Sequence, residues 1–175
     1  MTSRMQQRAR EFGRVIFFDA TAQLNVYGFP TYSPTVKDGE GKLRTLAYAV
    51  FAANRAAAHI FVLDSMVKIV PELSTLCHTV FTDAGVSEET IRAIFPNLRG
   101  AFVCCFHLTV LDLPQNLGSL PCYNEMKKYF VNNLLHAKSI PEFDASWEFF
   151  KIEFPAAANY IGRVWIPIRH RWADP

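Results

Sequence analysis

The chain has 175 residues, half of them hydrophobic and 14% aromatic, enough for one ordinary domain with a real core. Its formal net charge of +2 is too small to argue nucleic-acid binding by itself, and no apolar run reaches the roughly 18 residues that span a bilayer. Only 19% of the residues are charged, so some apolar surface is expected to be covered by a partner or by further sequence.

Residues 1–13 form a polar N-terminal segment without a signal-peptide core, and residues 14–175 read as a single domain. Arg4, Arg8, Arg10 and Arg14 crowd the start, and Arg163, Arg169, His170 and Arg171 crowd the end. Each cluster taken alone reads as a solvated terminus. Val15-Ile16-Phe17-Phe18 is a run of four large apolar residues, which predicts a strand over 14–25 buried on both faces. Gly28 and Pro30 mark a turn. Strands over 32–37 and 43–52 flank Lys37-Asp38-Gly39-Glu40-Gly41, a hairpin signal. Residues 55–70 switch to helical spacing, closed by Pro71. A fourth strand over 76–82 ends at Asp83, Gly85 gives a tight turn, and Ser87 is an N-cap with Glu88 and Glu89 behind it. That helix ends near Phe95 and Pro96. Residues 100–106 predict a fifth strand with His107 at its end. From about Asn124 onward the signal is helical, and Pro114, Pro121, Pro141, Pro155 and Pro167 are expected to cut this region into short helices. Phe149, Phe154 and Trp165 are expected to present exposed apolar faces.

This order implies an α/β fold. Its five-stranded sheet is mixed, an antiparallel hairpin on one side and parallel strands on the other, with flanking helices and a helical C-terminal region. Strands one and four can lie side by side and parallel. Sites in such sheets gather at the carboxyl ends of strands, which would make Asp19 and Asp83 neighbours.

A carboxylate at the end of a buried strand is costly unless something pairs with it. Two of them point to convergence on a divalent metal. Magnesium prefers oxygen ligands, and a two-metal phosphoryl-transfer site needs bridging carboxylates. Asp19 is the bridging candidate and Asp83 the second ligand, though Asp83 alone would also serve as a turn or helix-capping residue. Cys104 and His107 stand three apart, the spacing of half a zinc site. Cys122, His136 and Cys77 are the remaining candidates and none repeats the spacing, which favours burial of the cysteines as small hydrophobes. His107 could orient a phosphate or a water, or cap the next helix. The four cysteines form no disulfide framework, which fits a reducing compartment, cytosol or nucleus.

The motifs resemble the Mutator-like element transposase domain, a ribonuclease-H-like core of the DDE superfamily. The segments are Val15 to Tyr27 (VIFFDATAQLNVY), Lys42 to Val50 with the preceding Asp-Gly, Thr79 to Asp83, Ile94 to Pro96, the C-x-x-H of Cys104 to His107, and the closing Tyr160, Trp165 and Arg171-Trp172. They occur in the family's order over nearly the whole chain. The resemblance implies that Asp19 and Asp83 are the first two catalytic acids and that Cys104 and His107 are the family's Cys/Asp-x-x-His signature. It further implies magnesium or manganese in a two-metal site, cleavage and joining of DNA at transposon ends and target DNA, and a nuclear location. It leaves room for a homo-oligomer in a full-length form, and the lack of a long apolar run makes no membrane the expectation. In the family a third acid follows the Arg-Trp segment, where this sequence reaches Pro175. The domain therefore reads as truncated at its C-terminus and inactive alone. Where the family often carries an acid after the third strand, this chain has Asn54-Arg55. Glu148 and Glu153 match no family position.

Two other readings remain. One is a domesticated or decayed transposase-derived module that binds DNA or a protein. The other is an unrelated metal-dependent nuclease or phosphatase with a third ligand such as Glu125 or Glu153.

Overall fold

Val15, Ile16 and Phe17 form the middle strand of the larger sheet in a computed structural model that describes residues 1–18, 20–21, 26–53, 56–83 and 85–173, with Ala20 and Thr21 as backbone only. The chain divides into two units, Met1–Phe102 and Val103–Pro175. The first runs α1 (Ser3–Phe12), β1 (Val15–Phe17), β2 (Ala20–Thr21), β3 (Thr31–Tyr32), β4 (Thr35–Lys37), β5 (Leu43–Thr45), β6 (Ala49–Val50), α2 (Ala56–Ile69), α3 (Leu73–Leu76), β7 (Thr79–Thr82), α4 (Glu88–Ile94) and β8 (Gly100–Val103). The larger sheet has the order β5-β4-β1-β7-β8 and the smaller β2-β3-β6. This is the mixed five-stranded sheet that the order of elements predicts. β1 pairs antiparallel with β4 and parallel with β7, and α2 and α3 make the crossover that a parallel pair requires.

Alternation within the strands sets the two faces. Ile16 and Val80 face each other across β1 and β7 and are fully buried, in one core with Val36, Leu63, Met66, Leu73 and Ile91. On the other face Phe17 stacks on Phe81 at 5.1 Å, and Phe81 on Phe102 at 5.4 Å.

The strand expected over 14–25 is divided between β1 and β2. One register runs through both sheets: Phe17 faces Thr35, and Ala20 and Thr21 face Tyr32 and Thr31. In that register Phe18 falls opposite Pro34, but neither bonds the other: the Pro34 carbonyl faces β5 and accepts from the Leu46 amide at 2.8 Å, and Phe18 donates its N–H to Phe81 O on β7 at 2.7 Å. The expected strand over 43–52 is divided as well. Residues 33 and 34 separate β3 from β4, whereas residues 46–48 separate β5 from β6, so β5–β6 carries one extra residue, a bulge that leaves both Leu46 and Ala47 buried.

The β4–β5 hairpin is closed by Asp38. Its Oδ1 accepts from the Glu40 and Lys42 amides, and its Oδ2 from Arg44 Nε at 2.7 Å. The Arg44 guanidinium and the Lys42 amide hold this carboxyl below the ordinary carboxylate range. Gly41 takes the left-handed conformation (φ +79°) that such a loop needs. The polar segment ahead of β1 is helical. Thr2 caps α1, Ala9 is buried, and a Cβ on Gly13 would come within 2.4 Å of Leu73 Cδ2.

The second unit is helical, and its start differs from expectation. The fifth strand stops at Val103 rather than 106. Leu108 N donates to Cys104 O and Thr109 Oγ1 to Cys105 O, so Cys104-Cys105-Phe106 turns into a helix. An apolar run of this length cannot by itself separate strand from helix. His107 therefore opens a wide, π-type turn over His107–Asp112, not a strand end. α5 (Leu113–Leu117), α6 (Tyr123–Tyr129), a second π-type turn (Phe130–Leu135), α7 (Ile140–Glu153), α8 (Pro155–Val164) and a 3-10 turn (Ile166–Arg171) follow. Pro114, Pro141, Pro155 and Pro167 sit in first turns, where a missing N–H costs nothing, so they start helices rather than cut them. Phe149 is exposed as expected, but Trp165 is buried. Its Nε1 donates to Asp112 Oδ2 at 2.9 Å, beside the Tyr160 hydroxyl, which donates to the same carboxylate at 2.9 Å. Trp172, whose Nε1 donates to Trp165 O, packs on Phe130 and Phe143.

Burial and the Asp112 carboxylate push the Tyr160 hydroxyl up to about 12, against an ordinary value near 10. A folded-state pKa above the unfolded one means stabilisation that is complete below about pH 10 and lost as pH rises toward about 12. In an ultraviolet titration, Tyr160→Phe should remove one late tyrosine step near pH 12 and weaken the alkaline loss of stability. A titration in which Tyr160→Phe removes only a step near pH 10 contradicts this assignment.

Candidate functional site

α2 begins Ala-Ala-Ala-His-Ile-Phe-Val-Leu, an apolar helix with one titratable residue near its start. Ala58, His59, Val62, Leu63 and Met66 are its buried residues, a helical stripe, so His59 faces the core. It is 2% exposed. Its ring meets Tyr32 edge-on at 4.8 Å and Phe18 at 5.1 Å. Its Nε2 lies 3.3 Å from Asp83 Oδ2. Sequence reading missed His59, because no motif marks it. The available signal was a lone imidazole on the apolar face of a helix, which also describes an ordinary packed histidine.

Asp83 follows the last residue of β7 and is half-buried. Its Oδ1 accepts from the Gly85 amide at 3.0 Å, and Ser87 caps α4 just beyond, as expected. Both oxygens of Asp83 are thus held, one by a turn amide and one beside an imidazole, with lone pairs to spare. The parallel register aligns Val15 with Thr79, Ile16 with Val80 and Phe17 with Phe81. The carboxyl ends of β1 and β7 therefore lie side by side, tied by the Phe18–Phe81 bond. Asp19, the partner expected for Asp83, lies outside the described residues, as do Asn54 and Arg55.

Cys104 and His107 belong to the second unit, three apart at the entry to its first helix, with the Phe106 and His107 rings 6.2 Å apart. Cys77 is buried in the first unit and its thiol is pushed up to about 12 by burial, a packing residue rather than a thiolate ligand. Glu153 is exposed on α7, and Glu148 pairs with Lys151 on the same helix at 2.7 Å. Glu125 lies in the first turn of α6. Among the described residues, no three His, Cys, Asp or Glu side chains come together as metal ligands. Asp83 supplies one carboxylate of the hard-oxygen type that magnesium takes, and a complete site would need further oxygen donors beside it.

A mixed five-stranded sheet with a parallel central pair, an antiparallel flank and surrounding helices is the ribonuclease-H-like class. The chain belongs to the family described as zinc finger SWIM domain-containing protein 1/3, RNaseH-like domain, whose model matches residues 1–100. It is also 26% identical over 166 residues to Protein FAR1-RELATED SEQUENCE 6 of Arabidopsis thaliana, across 93% of this chain and 22% of that protein. The chain thus spans about a fifth of the length of this curated relative. These likenesses bear out the ribonuclease-H-like expectation and do not reach Mutator-like kinship in particular.

The packing around His59 separates two contributions. His59→Ala removes the ring from between Phe18 and Tyr32 and should cost about 2–5 kcal/mol in urea denaturation. His59→Phe keeps the ring and gives up only the neighbour of Asp83, and should cost about 1 kcal/mol. Equal losses in the two variants would show that the Asp83 contact, not ring packing, holds His59.

Proposed function

We propose that the chain is a transposase-lineage domain of the Mutator-like kind, built to act on DNA phosphodiesters in the nucleus through a metal-dependent carboxylate site to which Asp19 and Asp83 contribute. One observation carries this reading: the parallel β1–β7 pair, with Asp83 at the carboxyl end of β7 and Asp19 next in sequence after Phe18. Support comes also from the family match over residues 1–100. Magnesium or manganese held between the two carboxylates would activate the attacking water or 3′-hydroxyl and steady the leaving oxygen. The chain's own part is to hold the ligands still. The Gly85 amide fixes the Asp83 carboxylate by a hydrogen bond, as outer partners of metal ligands do, and the His59 ring stands beside it. Glu148 and Glu153, on α7, match no position of the family's third acid, and Glu148 is paired with Lys151. The isolated chain should therefore bind metal weakly and cleave DNA negligibly.

A second reading is a transposase-derived module that binds DNA or a protein without catalysis. It is favoured by the same two contacts, because a turn amide and a packed imidazole would equally occupy a purely structural aspartate. Calorimetric titration with Mn²⁺ separates the two. The catalytic-lineage reading expects weak binding that disappears in both Asp19→Asn and Asp83→Asn, with plasmid nicking at background. Binding that survives both substitutions favours the second reading. Robust cleavage abolished by Asp19→Asn would overturn the need for a further acid.

A further inference from the structure

α1 and the β4–β5 hairpin enclose a cleft of about 330 Å³ that shares no residue with the Asp83–His59 cluster. Arg4 and Arg8, one helical turn apart on α1, line it together with Glu11, Phe12, Asp38 and Arg44. A second cleft of about 320 Å³ shares Glu11 and Phe12 as a common wall and adds Arg14 and Lys37. The two together carry five cationic side chains against two carboxylates, in a chain whose whole net charge is +2. The positive excess of the protein is therefore concentrated along this strip, where the field of a cleft attracts polyanions.

The strip is also organised. Arg10 points to another side of α1, where its Nε bonds Glu72 at 3.2 Å. Arg4 and Arg8 form no ion pair among the described residues. Arg44 is pinned through Nε to Asp38 Oδ2 at 2.7 Å, and Asp38 is itself fixed by two loop amides. The terminal nitrogens of Arg44 are left to fork onto an oxyanion, with little side-chain freedom still to lose. A lone phosphate would occupy one guanidinium pair, whereas cations distributed over two adjoining clefts suit a succession of phosphates.

We propose that the α1–hairpin strip binds the phosphodiester backbone of duplex DNA, with Arg4, Arg8 and Arg44 as its principal contacts and Arg14 and Lys37 continuing the track. The choice of DNA rests on the function proposed above; the phosphate chemistry does not. Such contacts are sequence-independent and release counterions, so each steepens the dependence of log affinity on log salt by about 0.9.

The test is fluorescence anisotropy of a labelled duplex of about 20 base pairs with the full chain in EDTA, over roughly 50 to 200 mM KCl. Arg4→Gln/Arg8→Gln should make the salt slope shallower by about 2 and weaken binding about tenfold or more. Glu11→Gln, which removes a repelling carboxylate from the shared wall, should tighten binding. Lys127→Gln/Lys128→Gln on α6 should leave the slope unchanged. The series runs in EDTA, so failure of the metal-site reading leaves it unchanged, and loss of that reading and loss of this strip are read separately. A wild-type chain that does not bind the duplex overturns the proposal. So does an arginine double variant that is folded by circular dichroism and keeps the wild-type affinity and slope.

Discussion

The parallel pairing of β1 with β7 is the constraint on which the site depends. These strands are 64 positions apart in sequence, as Val15 with Thr79 shows, and only the α2–α3 crossover lets them run in the same direction. Burial of Ile16 against Val80 on one face and stacking of Phe17 on Phe81 on the other fix their register. A shift of β1 by one residue would turn Phe17 into the core and Ile16 out of it. The Phe18 amide continues this pairing by donating to Phe81 O, while Pro34, opposite it, accepts from Leu46 on the other side. The Phe18–Phe81 bond keeps the end of β1 beside the end of β7.

From this pairing the rest of the site is assembled locally. Asp83 leaves β7 where the sheet ends, and the Gly85 amide and the N-capped α4 give the chain an immediate turn. α2 brings His59 to the same end through an apolar stripe that Phe18 and Tyr32 complete. An imidazole so enclosed limits the rotamers of the carboxylate beside it. This arrangement is suited to a ligand that must be held still, and it costs the core one polar group. The charged strip along α1 is a separate device, made of flexible cations around one pinned arginine. Under the proposed function the first arrangement would serve chemistry at a phosphodiester, and the second would supply affinity for the polymer that contains it.

Much of the fold was legible because its signals are short-range. The Val15-to-Phe18 run, the Asp38-Gly39 turn, the helical spacing after residue 55 and Ser87 ahead of two glutamates each specify their element within a few residues. What was not legible depends on partners distant in sequence. The division between β1 and β2 shows only against their partners β4 and β3, and the β5–β6 bulge exists only relative to β3 and β4. Cys104-Cys105-Phe106 is apolar enough for strand or helix, and the bonds from Leu108 and Thr109 decide it. Trp165 reads as an exposed aromatic until Asp112, 53 positions away, is seen to accept from its indole. The site shows the same division. Asp83 announces itself by standing at a strand end, whereas His59 acquires its place only through packing.

The central claim is that Asp19 and Asp83 share one rim of the sheet and hold a cation between them. A crystal structure of the chain grown with MnCl₂, with anomalous diffraction to locate manganese, tests it most directly. The account predicts an anomalous peak within about 2.5 Å of carboxylate oxygens from both residues, with His59 still beside Asp83. An Asp19 side chain directed to the opposite border of the sheet, with no peak at Asp83, would contradict it.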